Sequence, residues 1–492
     1  MSEKGMILHK TLLYSSVLAA LATPVTTYSS PWIGTIEPAL HSDLTLLAEK
    51  GHIRVAVTSF PVPWKGVDRE LEQLDPTSLD AEAWIAYSRL RHYLQQQKNA
   101  KSLKVLTLQA SSDDKRFKSF DEVSAEKGLA RLSASGDLGP LAYQITTNFA
   151  PGGERYLDQS FVAYQFGNWN IRLGALDQWW GPGQASSLIL SNNARPVPGV
   201  AVSRSMATLS DGLLSVLGPW YFTAQMGKLE GNRTVPDTRL WQSRLNFQPL
   251  NGLEIGLSWA AMWGGQGRGN SLSDFFKILT FKNECANGEE QCDSALKTQA
   301  GNQLAGYDIR YSFSLFDLDM SLYGQQIGED AVDYYKVTDK GHLYGFSVYA
   351  FGAKWFAETS DTQVACGGKD SNYYDCYYEH NVYKSGYRYH QRAIGSTFDS
   401  DAKTVTLGMR QHFKDGDTLV VELAQLKLNP DASKPSPVTQ GNSEEVVYLK
   451  GQYQWPMDNW SLKMGLYIEH SRIVEQKSDW GADVSVTASY KF

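Results

Sequence analysis

Tyr307, Ile309, Tyr311, Phe313 and Leu315 alternate with Asp308, Arg310, Ser312 and Ser314. The same period of two recurs at Val405, Leu407, Met409 and Phe413 against Thr404, Thr406, Arg410 and His412. It returns at Val447, Leu449 and Tyr453 against Tyr448, Lys450, Gln452 and Gln454, and at Leu462, Met464, Leu466 and Ile468 against Lys463, Tyr467 and Glu469. Successive side chains of a strand point to opposite faces, so each segment carries one apolar face and one strongly charged face. Strands of a sandwich commonly run about five to six residues. These segments run to roughly ten, the length that crosses a bilayer in a transmembrane β-barrel.

The connections divide into two kinds, as they do in outer-membrane barrels, where short turns mark the periplasmic side and long loops the outer side. Tight turns fall at Gly136–Gly139, Gly167–Asn170, Gly218-Pro219, Pro249–Gly252, Leu315–Asp317, Phe351-Gly352, Asp415-Gly416 and Pro456–Asn459. Long excursions separate them at 111–128, 177–198, 264–303, 327–341, 361–386, 429–443 and 470–480. Counting along this alternation gives about 18 strands, an even number that returns the C-terminus to the periplasmic side. The last strand alternates through Val484, Val486, Ala488 and Tyr490 to a terminal Phe492, the familiar ending of bacterial outer-membrane barrels.

Composition excludes two other classes. Mean hydropathy is −0.35 and nothing beyond the N-terminus gives the apolar run of a spanning helix, so a helical membrane protein is ruled out. A net charge of −7 argues against a nucleic-acid binder. The 14 Trp, 26 Tyr, 19 Phe and 42 Gly suit a β-rich chain.

Residues 1–30 read as an export signal: Lys4, His9 and Lys10 precede the apolar Leu12 to Ala22 run, and Ala20-Leu21-Ala22 has the small-x-small form of a cleavage site. A start at Met6 gives a more ordinary signal. Cys285 with Cys292, and Cys366 with Cys376, lie close together in long outer loops and suit two local disulfides in an oxidising compartment. No Cys-x-x-Cys or ligand-spaced His supports a metal site, and no cofactor is expected.

Helical spacing is confined to 39–50 and 75–98. Asp75-Pro76 resembles an N-cap with proline at the first helical position, and Leu79, Ala83, Ala86, Tyr87, Leu90 and Leu94 share one face. The mature chain therefore divides into a small periplasmic α-helical domain over 31–102, separable from membrane insertion, and a barrel over 103–492.

Architecture alone leaves function open. The segment Asp177-Gln178-Trp179-Trp180-Gly181-Pro182-Gly183, followed by Leu188-Ile189-Leu190-Ser191-Asn192-Asn193-Ala194-Arg195-Pro196, closely resembles the signature of the Wzi-type capsule assembly proteins. The helical head and the strand count fit that family as well. The resemblance implies an outer-membrane lectin that binds exported capsular or other surface polysaccharide and helps attach capsule at the cell surface. It also implies a barrel plugged by loops. Outer-membrane lipid is an implied partner, the polysaccharide export machinery a further candidate, and a monomer the expected state. The segment from Trp179 to Gly199 has two readings, a loop packed as a plug and a sugar-contacting surface.

Residues 373–389 hold seven tyrosines. Sugars present apolar C–H faces and hydroxyls, and tyrosine meets both. Tyr373, Tyr374, Tyr377, Tyr378 and Tyr383 are thus glycan-binding candidates, joined by Trp179 and Trp180. Tyr387 and Tyr389 share one strand parity and also suit an aromatic girdle at the outer interface. Two other features carry no chemistry. Gly264–Gly269 lacks a Gly-Lys-Ser/Thr ending and a βαβ unit, so it is a loop and not a phosphate site. Arg410, His412 and Glu422 face the lumen, where charges are ordinary, and no nucleophile motif accompanies them. No catalytic residue is assigned and an enzyme is not expected. The rival function is a sugar-conducting porin, and a third is a purely structural scaffold.

Overall fold

The computed structural model describes residues 30–34, 38–99, 102–209, 212–280, 301–329, 331–332, 336–337, 339–364, 376–432, 436–474 and 478–492. Nearly all of the expected signal falls outside them.

Among the described residues, 18 antiparallel strands close into one barrel. They are β1 Ser102–Ser111, β2 Gly128–Leu138, β3 Leu141–Phe149, β4 Phe161–Phe166, β5 Trp169–Gly174, β6 Gly199–Arg204, β7 Trp220–Lys228, β8 Arg239–Leu250 and β9 Leu253–Trp263. The second half is β10 Asn302–Leu315, β11 Leu318–Gly328, β12 Lys340–Ala350, β13 Ala353–Asp361, β14 Ala402–His412, β15 Thr418–Leu428, β16 Glu444–Met457, β17 Trp460–Ile473 and β18 Ser478–Lys491. The seam joins β18 to β1 with Tyr490 opposite Leu106, and the Phe492 amide donates to the Lys104 carbonyl at 3.0 Å.

The period of two decides what faces lipid. Leu407, Leu423, Leu449 and Ile468 lie opposite one another across β14 to β17, forming an outward row of aliphatic side chains. Their inward neighbours are buried and polar. Arg244 on β8 makes a two-pronged pair with Asp308 on β10, at 2.5 and 2.9 Å. Arg410 lies 2.6 Å from Asp121, and Glu422 2.7 Å from Lys450. Buried charges persist only when paired in this way.

Two connections differ from the sequence reading. The chain between β6 and β7 is no tight turn at Gly218-Pro219: it runs from 205 to 219 and carries a 3-10 turn over Gly212–Leu217. The loop opening at 362 does not return to the wall near 386, because β14 starts at Ala402. Tyr387 and Tyr389 therefore sit in a loop and are buried, not in an interfacial girdle.

The head comprises α1 Pro38–Glu49, α2 Trp64–Gln73 and α3 Ala81–Asn99. Ala83, Ala86, Leu90 and Leu94 pack inward from α3 as their spacing requires. Its start is later than expected: Asp75 caps only the short turn Pro76–Ser78, Leu79 is extended, and Asp80 Oδ1 accepts from the Ala83 amide at 2.8 Å.

The head is not a separate body. Glu49 at the end of α1 lies 2.8 Å from Arg310 and 2.9 Å from Lys354, both on the inner wall. Thr58 donates to Glu254 at 2.7 Å, and Ser59 Oγ accepts from Arg244 at 2.6 Å. Lys65 donates to the Gly167 carbonyl of a tight turn at 2.7 Å. The head thus enters the lumen from the end that carries the tight turns and the C-terminus.

Candidate functional site

Three long loops turn inward, two of them to meet the head and the third to cover those two, so the site must be read from a filled lumen. After β5, residues 175–198 descend along the axis. Trp179 pairs with Phe60 and Trp180 with Ser59 as a two-residue antiparallel bridge to the head. The segment hangs on the wall by its backbone. Gln325 takes the Leu188 amide at 2.7 Å and donates to the Trp180 carbonyl at 2.9 Å. Glu358 accepts from three consecutive amides, Gln184 at 2.6 Å, Ala185 at 3.2 Å and Ser186 at 3.0 Å. The glycines make that approach feasible: a Cβ on Gly181 would stand 2.7 Å from Gln325, and one on Gly183 would stand 2.0 Å from the Ser186 carbonyl oxygen.

The loop after β1 folds in beside this segment. Phe120 packs edge-on against Trp179 at 5.3 Å and against Phe60 at 5.2 Å. Glu122 lies 2.8 Å from Lys115. Burial alone would raise its carboxyl, but the Lys115 and Lys450 cations outweigh this and hold it at about 2.

The tyrosine-rich loop forms the lid. Tyr378 Oη donates to the Leu188 carbonyl at 2.5 Å and accepts from the Ser396 amide at 2.8 Å. Tyr387 Oη donates to the Ile189 carbonyl at 2.9 Å, Tyr383 Oη to the Gly264 carbonyl at 3.1 Å, and Tyr377 Oη to the Ile327 carbonyl at 3.2 Å. Burial raises the hydroxyls of Tyr377, Tyr378 and Tyr383, which keeps them protonated as donors. Arg388 clamps the loop to Asp399 at 2.8 Å and Glu379 at 2.5 Å.

These contacts redistribute the sequence candidates. Trp180, Tyr377, Tyr378 and Tyr383 come together in one core cluster, while Trp179 packs into the head; all are buried and present no ring face to the outside. Of the two readings of the Trp179–Gly199 segment, the plug is the one these contacts match. Tyr373 and Tyr374 lie outside the described residues. So do Cys285, Cys292 and Cys366; Cys376 is disulfide-bonded.

Sequence reasoning missed a cleft at the outer half of the barrel. Between the inward loop 112–127 and the wall of β16 to β18 lies a cavity of about 120 Å³, lined by Lys115, Arg116, Phe117, Tyr467, Glu469 and Asp483 among others. Arg116 is held there by Glu444. The run Asp113-Asp114-Lys115-Arg116-Phe117 was a visible signal, since five charged or aromatic residues in a loop seldom lack a task.

The model of the capsule assembly protein Wzi family matches residues 97–485. The chain belongs to this family. It is an outer-membrane β-barrel of the Wzi type, as the sequence signature implied. It is 25% identical over 345 residues to an uncharacterized 55.8 kDa protein in the cps region of Klebsiella pneumoniae, spanning 66% of this chain and 64% of that relative. Its fold matches Wzi of Escherichia coli with a TM-score of 0.78 at 21% identity, over 94% of this chain and 99% of that one. That Wzi is described as an outer membrane protein involved in group 1 capsule assembly and a carbohydrate-binding β-barrel. The Wzi signature in this chain meets the head through Trp179 and Trp180 and the lid through Leu188, Ile189 and Ser191.

Proposed function

We propose that this Wzi-family barrel is an outer-membrane lectin that binds exported capsular polysaccharide at its outer mouth and helps attach it to the cell surface. The observation that carries this reading is the closure of the lumen by a plug bonded to the wall from both ends. That favours a binding surface over a sugar-conducting porin, because transport would require breaking Glu358, Gln325 and Arg244 contacts together. The family's role in capsule assembly and the carbohydrate binding described for the E. coli relative point the same way.

On this reading binding falls to the cleft of Lys115, Arg116, Phe117, Tyr467 and Glu469 and to Tyr373 and Tyr374 of the lid loop. Two aromatic rings amid paired charges suit a polymer that shows alternating C–H faces and hydroxyl or carboxylate groups. The protein acts by binding and needs no cofactor, works as a monomer, and meets the export machinery as a further partner. The test is binding of native capsule to the purified barrel alongside planar-bilayer conductance. Capsule binding without stable single-channel currents supports the lectin. Stable currents without binding would establish the porin.

A further inference from the structure

Strand parity fixes on which side of the wall the long loop after β9 lies. Leu240, Ala260, Met262 and Leu304 of β8, β9 and β10 belong to the core of the plug, so they point into the lumen. Trp241, Trp259, Ala261 and Trp263 have the opposite parity and point toward lipid. Yet Ala261 is 0% exposed and Trp263 only 3%. A helix covers them, α4 Leu272–Leu279. Its Ile278 joins both residues in one apolar cluster, and its Phe275 packs against Trp241 at 5.3 Å and Trp263 at 5.2 Å. The helix therefore lies outside the barrel, on a surface that would otherwise meet lipid.

Local contacts hold it there. Ser271 and Asp274 form a reciprocal capping box at its start. Gln303 of β10 donates to the Ile278 carbonyl at 3.3 Å near its end. Packing on the wall occupies only one side of the helix. Leu272 and Phe276, one turn apart, are 77% and 61% exposed. Both are barer than Leu257 and Tyr307, each 46% exposed, which lie opposite one another in the lipid-facing row of β9 and β10. The helix sits at the level of an aromatic belt, since Trp241, Trp259 and Trp263 cluster toward the loop ends of β8 and β9. Arg239, at the outer end of β8, spreads its guanidinium 4.8 Å over the Trp263 ring and donates to the Asn270 carbonyl at 2.8 Å.

We propose that α4 is an in-plane lipid anchor, with Leu272 and Phe276 set among the acyl chains of the outer leaflet. A short amphipathic helix at a belt of tryptophans, with its polar start capped and a cation beside it, suits the boundary between headgroups and acyl chains. Lipid fits this face better than a protein does. The helix packs on the lipid-facing wall itself, so its free side looks toward the same solvent. Two side chains also fall far short of the roughly 800 Å² per partner that a stable protein interface buries, whereas acyl chains need no complementary shape. The anchor fixes the depth of the barrel on its β8–β9 side and so the height at which the outer mouth stands above the leaflet. This goes beyond the lectin reading and does not depend on it.

Depth-resolved quenching tests the anchor. The full-length barrel carrying Phe276→Cys or Leu272→Cys is labelled with a polarity-sensitive nitrobenzoxadiazole probe. It is then reconstituted in dioleoylphosphatidylcholine vesicles with and without lipid bearing a doxyl quencher high on the acyl chain. Leu257→Cys on the wall is the lipid-facing reference, and Gln391→Cys, exposed on the lid loop, is the water-facing one. Wild type treated identically reports any label taken up by native cysteines. Both α4 labels should lose emission to doxyl lipid as the Leu257 label does, and should emit to the blue of the Gln391 label. Leu272 and Phe276 are exposed, so either substitution leaves the fold intact, and heat-modifiability on gels checks that it has. Two α4 labels that resist doxyl lipid as the Gln391 label does would overturn the anchor, whether water, the rest of the loop or a second copy meets that face. Capsule binding is scored on the same samples, so failure of the lectin reading would show there and leave the quenching result standing.

Discussion

Phe60, carried into the barrel by the N-terminal head, lies in antiparallel register with Trp179, carried down from the outer mouth. The two ends of the lumen are therefore closed by one interlocked structure, and each half is the other's packing partner. Trp180→Ala, which removes a fully buried indole at this junction, should cost about 3–5 kcal/mol. Heat-modifiability on gels and the thermal midpoint should both fall. Capsule binding per folded molecule should stay near wild type, because the ring faces protein and not sugar.

Arg244 holds head and wall together through Asp308, Ser59 and Thr58. Arg244→Met leaves Asp308 buried without its partner, a loss on the order of 3–5 kcal/mol. Protease supplied from the periplasmic side should then cut residues 50–63 in the variant and spare them in wild type. Protease on intact cells should spare the head in both.

Glu122 gives the inward loop an acid limit. Its carboxyl is held at about 2 against an ordinary 4.5, so its stabilisation is fully present above pH 4.5. It is lost as pH falls from there toward 2, an effect on the order of 3 kcal/mol. The thermal midpoint of wild type should drop across that window. Glu122→Gln should start lower at neutral pH and show a flatter acid limb.

Tyr378 joins lid to plug through a single hydroxyl. Tyr378→Phe keeps the ring but leaves the Leu188 carbonyl and the Ser396 amide unpaired, a cost of about 1–3 kcal/mol. Planar-bilayer recordings should show brief openings in this variant that wild type lacks.

The tyrosines preceding Cys376 separate binding from packing. Tyr373→Ala with Tyr374→Ala should release capsule into the medium while the melting temperature stays unchanged. If capsule remained on the cells, the cleft of Lys115, Arg116 and Tyr467 would have to carry binding alone.

The wall was legible in the sequence because lipid and lumen impose a strict period of two, and a slip of one residue would turn Leu407 and Leu423 inward. Strand count and parity followed once short and long connections were told apart, although Gly218-Pro219 proved to end a longer connection. The plug was harder to read. Tyrosine suits both a sugar and a buried carbonyl, and only three-dimensional neighbours decide, as Leu188 and Ile189 do for Tyr378 and Tyr387. The second helix of the head was missed although Trp64, Val67 and Leu71 keep helical spacing, because Pro61, Pro63 and Gly66 spoke for a loop. The cleft at 113–117 went unread because its other wall comes from β16 to β18, more than 300 residues away.

The head precedes β1, yet its buried bonds run to Arg244, Glu254, Arg310 and Lys354 on the far side of the ring. Until the head is seated, Glu49 lacks both of its cations and Glu254 lacks the Thr58 hydroxyl. Barrel closure and seating of the head should therefore be coupled in biogenesis. A chain lacking the head should stall as an open sheet in the hands of the assembly machinery instead of maturing into an empty pore.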